Sequence, residues 1–109
     1  MKDIAGRIAL VTGGGSGIGQ ATALALAEQG ARVAVSDVRE DRAEETVGTI
    51  GLRGGDARAY ALDVGDTAQI REVSGRIQEE WGIPSLLVNN AGIAVGGYFM
   101  DTSRDSWES

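Results

Sequence analysis

The sequence predicts an α/β domain, a parallel sheet with helices on both faces. Three observations carry that expectation. Short apolar runs alternate with segments of helical period along the chain, the pattern that builds parallel sheets. The first run passes into a glycine-rich turn and then at once into a segment rich in Ala and Leu. The runs also end in a turn residue, Asp or Asn, so that groups able to hydrogen-bond a ligand gather at one end of the sheet.

The first strand is Ile8, Ala9, Leu10 and Val11, an apolar run without alternation that suits burial on both faces. It belongs to the stretch Arg7 to Gly19, RIALVTGGGSGIG, read as strand, phosphate-cradling turn and first helical turn. The helix continues over Gln20 to Gln29, with Ala21, Leu24 and Ala25 as its apolar stripe and Gly30 as its stop. A diphosphate reaches the unbonded N–H groups of a helix N-terminus only where no Cβ stands in the way, and Gly13, Gly17 and Gly19 remove it. Their spacing, G-x-x-x-G-x-G, is not the G-x-G-x-x-G fingerprint, and the run has no lysine for a P-loop. A glycine-rich surface loop is the plain alternative, but such a loop would not be wedged between a buried strand and a helix.

Ala31 to Asp37 forms the second strand, with Val33 and Val35 in its apolar run. Asp37 lies eighteen residues after Gly19, near the ~20 at which a dinucleotide fold sets an acid against the ribose hydroxyls. It suits equally the cap of the next helix. That helix, Arg39 to Ile50, turns Ala43, Val47 and Ile50 inward, ends at Gly51 and the Gly54-Gly55 pair, and reads as scaffold. Asp56 to Asp63 alternates Ala57, Ala59 and Ala61 against Arg58, Tyr60 and Leu62, a third strand running into Asp63-Val64; Asp63 is otherwise a turn residue before Gly65. Asp66 to Trp81 carries Ile70, Val73, Ile77 and Trp81 on one face, with Asp66 or Thr67 as N-cap, Gly82 as stop and Trp81 as a core filler. After Pro84 comes the fourth strand, Ser85 to Val88, leading into Asn89, Asn90, Ala91 and Gly92. Gly13, Asp37, Asp63 and Asn90 would then share the carboxyl ends of the strands, where open α/β sheets bind their ligands.

A chain of 109 residues is one domain, long enough to bury about two-thirds of its unfolded surface. Without Cys or His it has no disulfide, no thiolate zinc site, no Cys or Ser-His nucleophile and no imidazole acid-base group, and it fits a reducing cytoplasm. No metal site is expected. The net charge of −6, with Lys2 the only lysine, argues against nucleic acid and anionic membrane surfaces. No run nears the ~18 apolar residues of a membrane span, and Met1 to Gly6 lacks the layout of a secretion signal. The expectation is a cytoplasmic protein.

Three motifs in order give the sequence a family likeness: Thr12-Gly13-Gly14-Gly15-Ser16-Gly17-Ile18-Gly19 for T-G-x-x-x-G-x-G, the pair Asp63-Val64, and Asn89-Asn90-Ala91-Gly92 for N-N-A-G. Over its whole length the chain resembles the N-terminal part of a classical short-chain dehydrogenase/reductase. The resemblance implies a Rossmann-type doubly wound parallel sheet, strand order 3-2-1-4 in the part present. It implies a nicotinamide cofactor held along Gly13, Gly15, Gly17 and Gly19, with Ser16 and Ile18 near the diphosphate and nicotinamide ribose. Asp63 and Val64 would lie around the adenine, and Asn90, Ala91 and Gly92 under the ribose. Asp37 would favour NAD over NADP. The implied reaction is hydride transfer to or from a small-molecule carbonyl or alcohol, in a homo-oligomer.

In that family a Tyr-x-x-x-Lys pair, with a Ser and an Asn, does the acid-base work. Tyr60 and Tyr98 have no lysine four residues later. No catalytic residue is therefore assigned here, and residues 1–109 are expected to be the NAD-binding portion, inactive alone. The competing reading is a non-catalytic dinucleotide-binding or interaction module; an adenosylmethionine-dependent methyltransferase fits Asn89 to Gly92 less well.

Overall fold

The computed structural model describes residues 4–89. Seven elements follow in strict alternation: β1 (Ile8–Thr12), α1 (Gly17–Glu28), β2 (Arg32–Asp37), α2 (Glu40–Leu52), β3 (Asp56–Ala61), α3 (Thr67–Glu80) and β4 (Leu86–Asn89). All strand pairs are parallel and the sheet order is β3-β2-β1-β4. The chain winds outward from β1 through β2 to β3, then returns to the other side of β1 for β4. That reversal places a crevice at the carboxyl end of β1.

Alternation along the strands divides the core into two layers. Val11, Val33 and Val35 face Ala23 of α1 and Ala43 and Ile50 of α2. Leu10 and Ala34, with Tyr60 and Leu62, face Ile70, Val73 and Ile77 of α3. Helices thus cover both faces, and Ala9, Leu10 and Val11 of the central strand are fully buried. The inward face expected for α3 is the one observed. Asp66 caps it, accepting from the N–H groups of Ala68 and Gln69 at 3.0 and 3.3 Å. Trp81 sits at the margin of this layer rather than inside it, its ring flanked by the guanidinium groups of Arg32 and Arg58 at 5.1 and 5.2 Å.

The first helix departs from expectation in its buried face. It begins at Gly17, inside the stretch read as its first turn, but it buries Gly19 and Ala23 while Ala21 and Ala25 of the expected stripe stay exposed. A helix apolar around most of its circumference offers no dominant stripe to read. Its rotation is fixed instead by the close approach of Gly19 to the turn. The third strand also stops two residues short of Asp63, which lies in the connection to α3.

Tyr60 gives this core a measurable alkaline limit. It is fully buried, and its hydroxyl donates to Glu80 Oε1 at 2.6 Å, beside Arg58 donating to the same oxygen at 2.9 Å. Burial first, and then the bond to Glu80, push the phenol up from 10.0 to about 12. The fold favours the protonated form, so this contribution is complete below the unfolded pKa near 10.0 and is lost as pH rises through about 12. Thermal melts should show a midpoint that falls across this window. Tyr60→Phe should cost about 1 kcal/mol at neutral pH through the lost hydrogen bond and should flatten the fall. Equal alkaline slopes in the two proteins would contradict the assignment.

Candidate nucleotide-binding site

The turn after β1 is built almost wholly from main chain. Gly13 opens it at φ 64° and Gly17 closes it at φ 35°, a region that L side chains rarely adopt. Gly14 N–H donates to Ser36 O of β2 at 2.9 Å, and Gly15 N–H donates to Asp37 Oδ2 at 3.0 Å. A Cβ on Gly14 would stand 2.6 Å from Val35 Cγ1, and one on Gly15 2.5 Å from Arg42 Cβ. On Gly19 it would run into the Gly13 carbonyl. Gly19 therefore lets α1 close on the turn, which differs from the expected role of clearing a path for ligand. Gly17 does have that property: a Cβ there would meet nothing within 4 Å, so its backbone faces open space.

Helix α1 starts without a cap. Ser16 occupies the N-cap position in extended conformation, its hydroxyl makes no capping bond, and the first turn carries no acid. The first N–H to bond back is that of Gln20, to Ser16 O at 3.0 Å. Ahead of it the N–H groups of Ser16, Gly17, Ile18 and Gly19 have no acceptor among the described residues. Ser16, Gly17 and Ile18 are exposed. Unbonded N–H groups at the positive end of a helix dipole form a receptor for an anion.

At the end of β2, Asp37 is 9% exposed and both carboxylate oxygens accept backbone N–H groups: Oδ2 from Gly15, Oδ1 from Arg39 at 3.0 Å. It is not the cap of α2; Arg39 holds that position, without a side-chain capping bond. Arg39 turns its guanidinium on Asp41, through Nε at 3.3 Å and Nη2 at 3.0 Å. That hydrogen bond, then the paired charges, raise the Arg39 pKa; the same bond lowers that of Asp41. Asp63 fills the turn role weighed for it, Oδ1 accepting from Gly65 N–H at 2.9 Å. Its backbone N–H donates to Gln69 Oε1 at 2.9 Å, and no hydrogen bond joins it to the glycine turn. Val64 packs partly buried against the α3 layer. Asn89 ends β4 opposite Thr12, whose hydroxyl donates to Asn89 Oδ1 at 2.7 Å. Asn90, Ala91 and Gly92 lie outside the described residues.

One contact was not anticipated. Thr46, in the helix read as scaffold, is fully buried and donates to Gly14 O at 2.8 Å, while Gln20 Nε2 approaches its hydroxyl at 3.3 Å. The signal was present as a hydroxyl on the inward face between Ala43 and Ile50, since a buried polar group requires a partner.

Four parallel strands in the order β3-β2-β1-β4, with an uncapped helix start beside the central strand, define a Rossmann-like α/β domain. The sequence pattern of the family described as short chain dehydrogenase matches residues 7–109, and the chain belongs to that family. A probable oxidoreductase, EphD, of Mycobacterium tuberculosis is 44% identical over 98 residues, covering 90% of this chain and 17% of that protein. The crystal structure of hydroxysteroid dehydrogenase from Escherichia coli superposes with a TM-score of 0.79 at 36% identity, covering 83% of this chain and 38% of that one. A putative D-mannonate oxidoreductase from Haemophilus influenza with bound NAD superposes with a TM-score of 0.74 at 28% identity, covering 76% and 30%. The chain thus spans well under half the length of these relatives. Among the described residues no helix is long and apolar enough to cross a membrane, and no cluster of His, Cys, Asp and Glu could hold a metal ion.

Proposed function

We propose that residues 1–109 form the dinucleotide-binding portion of an NAD-dependent oxidoreductase that transfers hydride between the cofactor and a small carbonyl or alcohol. The observation that carries this reading is the uncapped start of α1, where unbonded N–H groups, an open Gly17 and a carboxylate at the end of the next strand occur together. A nicotinamide, when bound, supplies or accepts the hydride. The chain's own residues bind and orient. The N–H groups of Ser16 to Gly19 take the diphosphate, with Gly13 and Gly15 shaping the turn and Ile18 beside the nicotinamide ribose. Asp37 takes the adenosine ribose hydroxyls, Asp63 and Val64 flank the adenine, and Asn90, Ala91 and Gly92 lie under the ribose. The relative solved with NAD supports the choice of cofactor class. The absence of cysteine supports a cytoplasmic setting.

Calorimetric titration of the purified protein should show saturable binding of NAD, competition by ADP, and no binding of S-adenosylmethionine. Nicotinamide absorbance with a panel of alcohols and carbonyls should show no hydride transfer by residues 1–109, which lack a Tyr-x-x-x-Lys pair. Failure of both NAD and ADP to bind would refute the reading.

A further inference from the structure

We infer that Thr46 is a positioning residue for the diphosphate turn: it fixes the orientation of the Gly14–Gly15 peptide from the neighbouring helix α2. The inference rests on the dinucleotide reading above.

The two hydrogen bonds that bracket this peptide come from different elements. Its carbonyl, on Gly14, accepts from Thr46 of α2 at 2.8 Å, and its N–H, on Gly15, donates to Asp37 of β2 at 3.0 Å. Nothing local holds it. With glycine on both sides, no Cβ biases the flanking dihedrals, so the plane is free to turn over at little steric cost. Turned over, it would aim a carbonyl at the Asp37 carboxylate and an N–H at Thr46, and it would redirect the chain entering Ser16. The peptide group thus has one orientation that satisfies both partners.

A hydroxyl has one proton, and Thr46 has two acceptors for it. Gly14 O lies at 2.8 Å and Arg42 O, one turn back in its own helix, at 3.5 Å. The shorter contact takes the proton, because a hydroxyl donor bonds best below ~3.0 Å. The hydroxyl oxygen is then left to accept from Gln20 Nε2 at 3.3 Å. Donation runs one way, from Gln20 of α1 through Thr46 of α2 to Gly14 O, and joins the helix that presents the N–H groups to the turn that precedes them. Thr46 is completely shielded from solvent, so no water replaces the hydroxyl once it is removed.

Three proteins and three ligands test this. Thr46→Val keeps the shape and removes the hydroxyl; Thr46→Ser keeps the hydroxyl. NAD and ADP carry the diphosphate and adenosine does not, so calorimetry for the first two and ligand-observed NMR for the third separate the turn from the rest of the site. Thr46→Val should weaken NAD and ADP roughly tenfold, the effect of one buried acceptor left unsatisfied, with adenosine unchanged and Thr46→Ser close to wild type. Wild-type affinity for ADP in Thr46→Val, or equal losses for ADP and adenosine, would overturn the inference while leaving the dinucleotide reading in place. A wild-type protein that binds neither NAD nor ADP overturns both. Should Thr46→Val fail to fold, Gln20→Met removes the donor behind the hydroxyl. It should weaken ADP in the same direction by a smaller factor, and no change there counts against the inference.

Discussion

Gly17→Val should abolish dinucleotide binding in a protein that still folds, and Gly19→Ala should be strongly destabilised. The two glycines stand two residues apart in one motif, yet they face different neighbours. A side chain at Gly17 points into open space, so its cost to the fold is the strain of a positive φ, about 1–2 kcal/mol against a typical stability of 5–15. Its cost to binding is far larger, because a branched side chain stands in front of the N–H groups that the diphosphate must reach. At Gly19 a single methyl group overlaps the Gly13 carbonyl and presses on the Gly14 backbone. Backbone cannot rotate aside as a flexible side chain does, and the strain should be on the order of 3 kcal/mol or more. Thermal melts and calorimetric titration of both variants separate the effects. Wild-type affinity in Gly17→Val would remove the diphosphate from this turn, and an unchanged melting temperature in Gly19→Ala would contradict the packing argument.

The second large effect is discrimination between the two nicotinamide dinucleotides. NAD should bind at least tenfold more tightly than NADP, because the 2′-phosphate would bring about −1.5 to −2 charges to the Asp37 carboxylate. At ~4 Å and an effective dielectric of ~20, each unit of repulsion is ~4 kcal/mol, and a quarter of the total still exceeds a factor of ten. Arg39 is the residue that could offset this, but its guanidinium is turned on Asp41. That pair is exposed and screened by solvent, so Arg39 remains able to turn toward a 2′-phosphate, and the Asp37 carboxylate must outweigh it. The structure adds a condition to the obvious variant. Asp37 also accepts the N–H groups of Gly15 and Arg39, so Asp37→Ala should narrow the ratio while weakening both dinucleotides. Titration of wild type with both cofactors decides the matter: equal or tighter binding of NADP would sink the electrostatic argument.

Much of this fold was legible because its signals are local. The unbroken apolar run of β1 gave a strand buried on both faces, and Ile70, Val73 and Ile77 gave the inward side of α3 directly. Helix α1 was less readable, since Ala and Leu occupy most of its surface and the decisive contact is made by Gly19, which has no side chain to count. The glycines illustrate a general limit. Spacing shows where side chains are absent, but whether the vacated space is open, as at Gly17, or filled by other parts of the chain, as at Gly14, Gly15 and Gly19, is decided by the folded packing. Asp37 was read as either a ribose acceptor or a cap. It is already bonded to Gly15, a contact across 22 positions that no periodicity announces. The same holds for Thr46, which reaches Gly14 across 32 positions.

A cradle made of main-chain N–H groups has a consequence for how such a site is tuned. Every residue contributes the same N–H, so changing residue type within the turn can take function away but has no better donor to offer. The information is held as a set of prohibitions. Adjustment must come from the residues standing behind the turn: Asp37, Thr46, Gln20, and Arg42, whose backbone and Cβ crowd Gly15. An engineer seeking a different affinity, or a library meant to explore one, would hold the glycines constant and vary that outer ring.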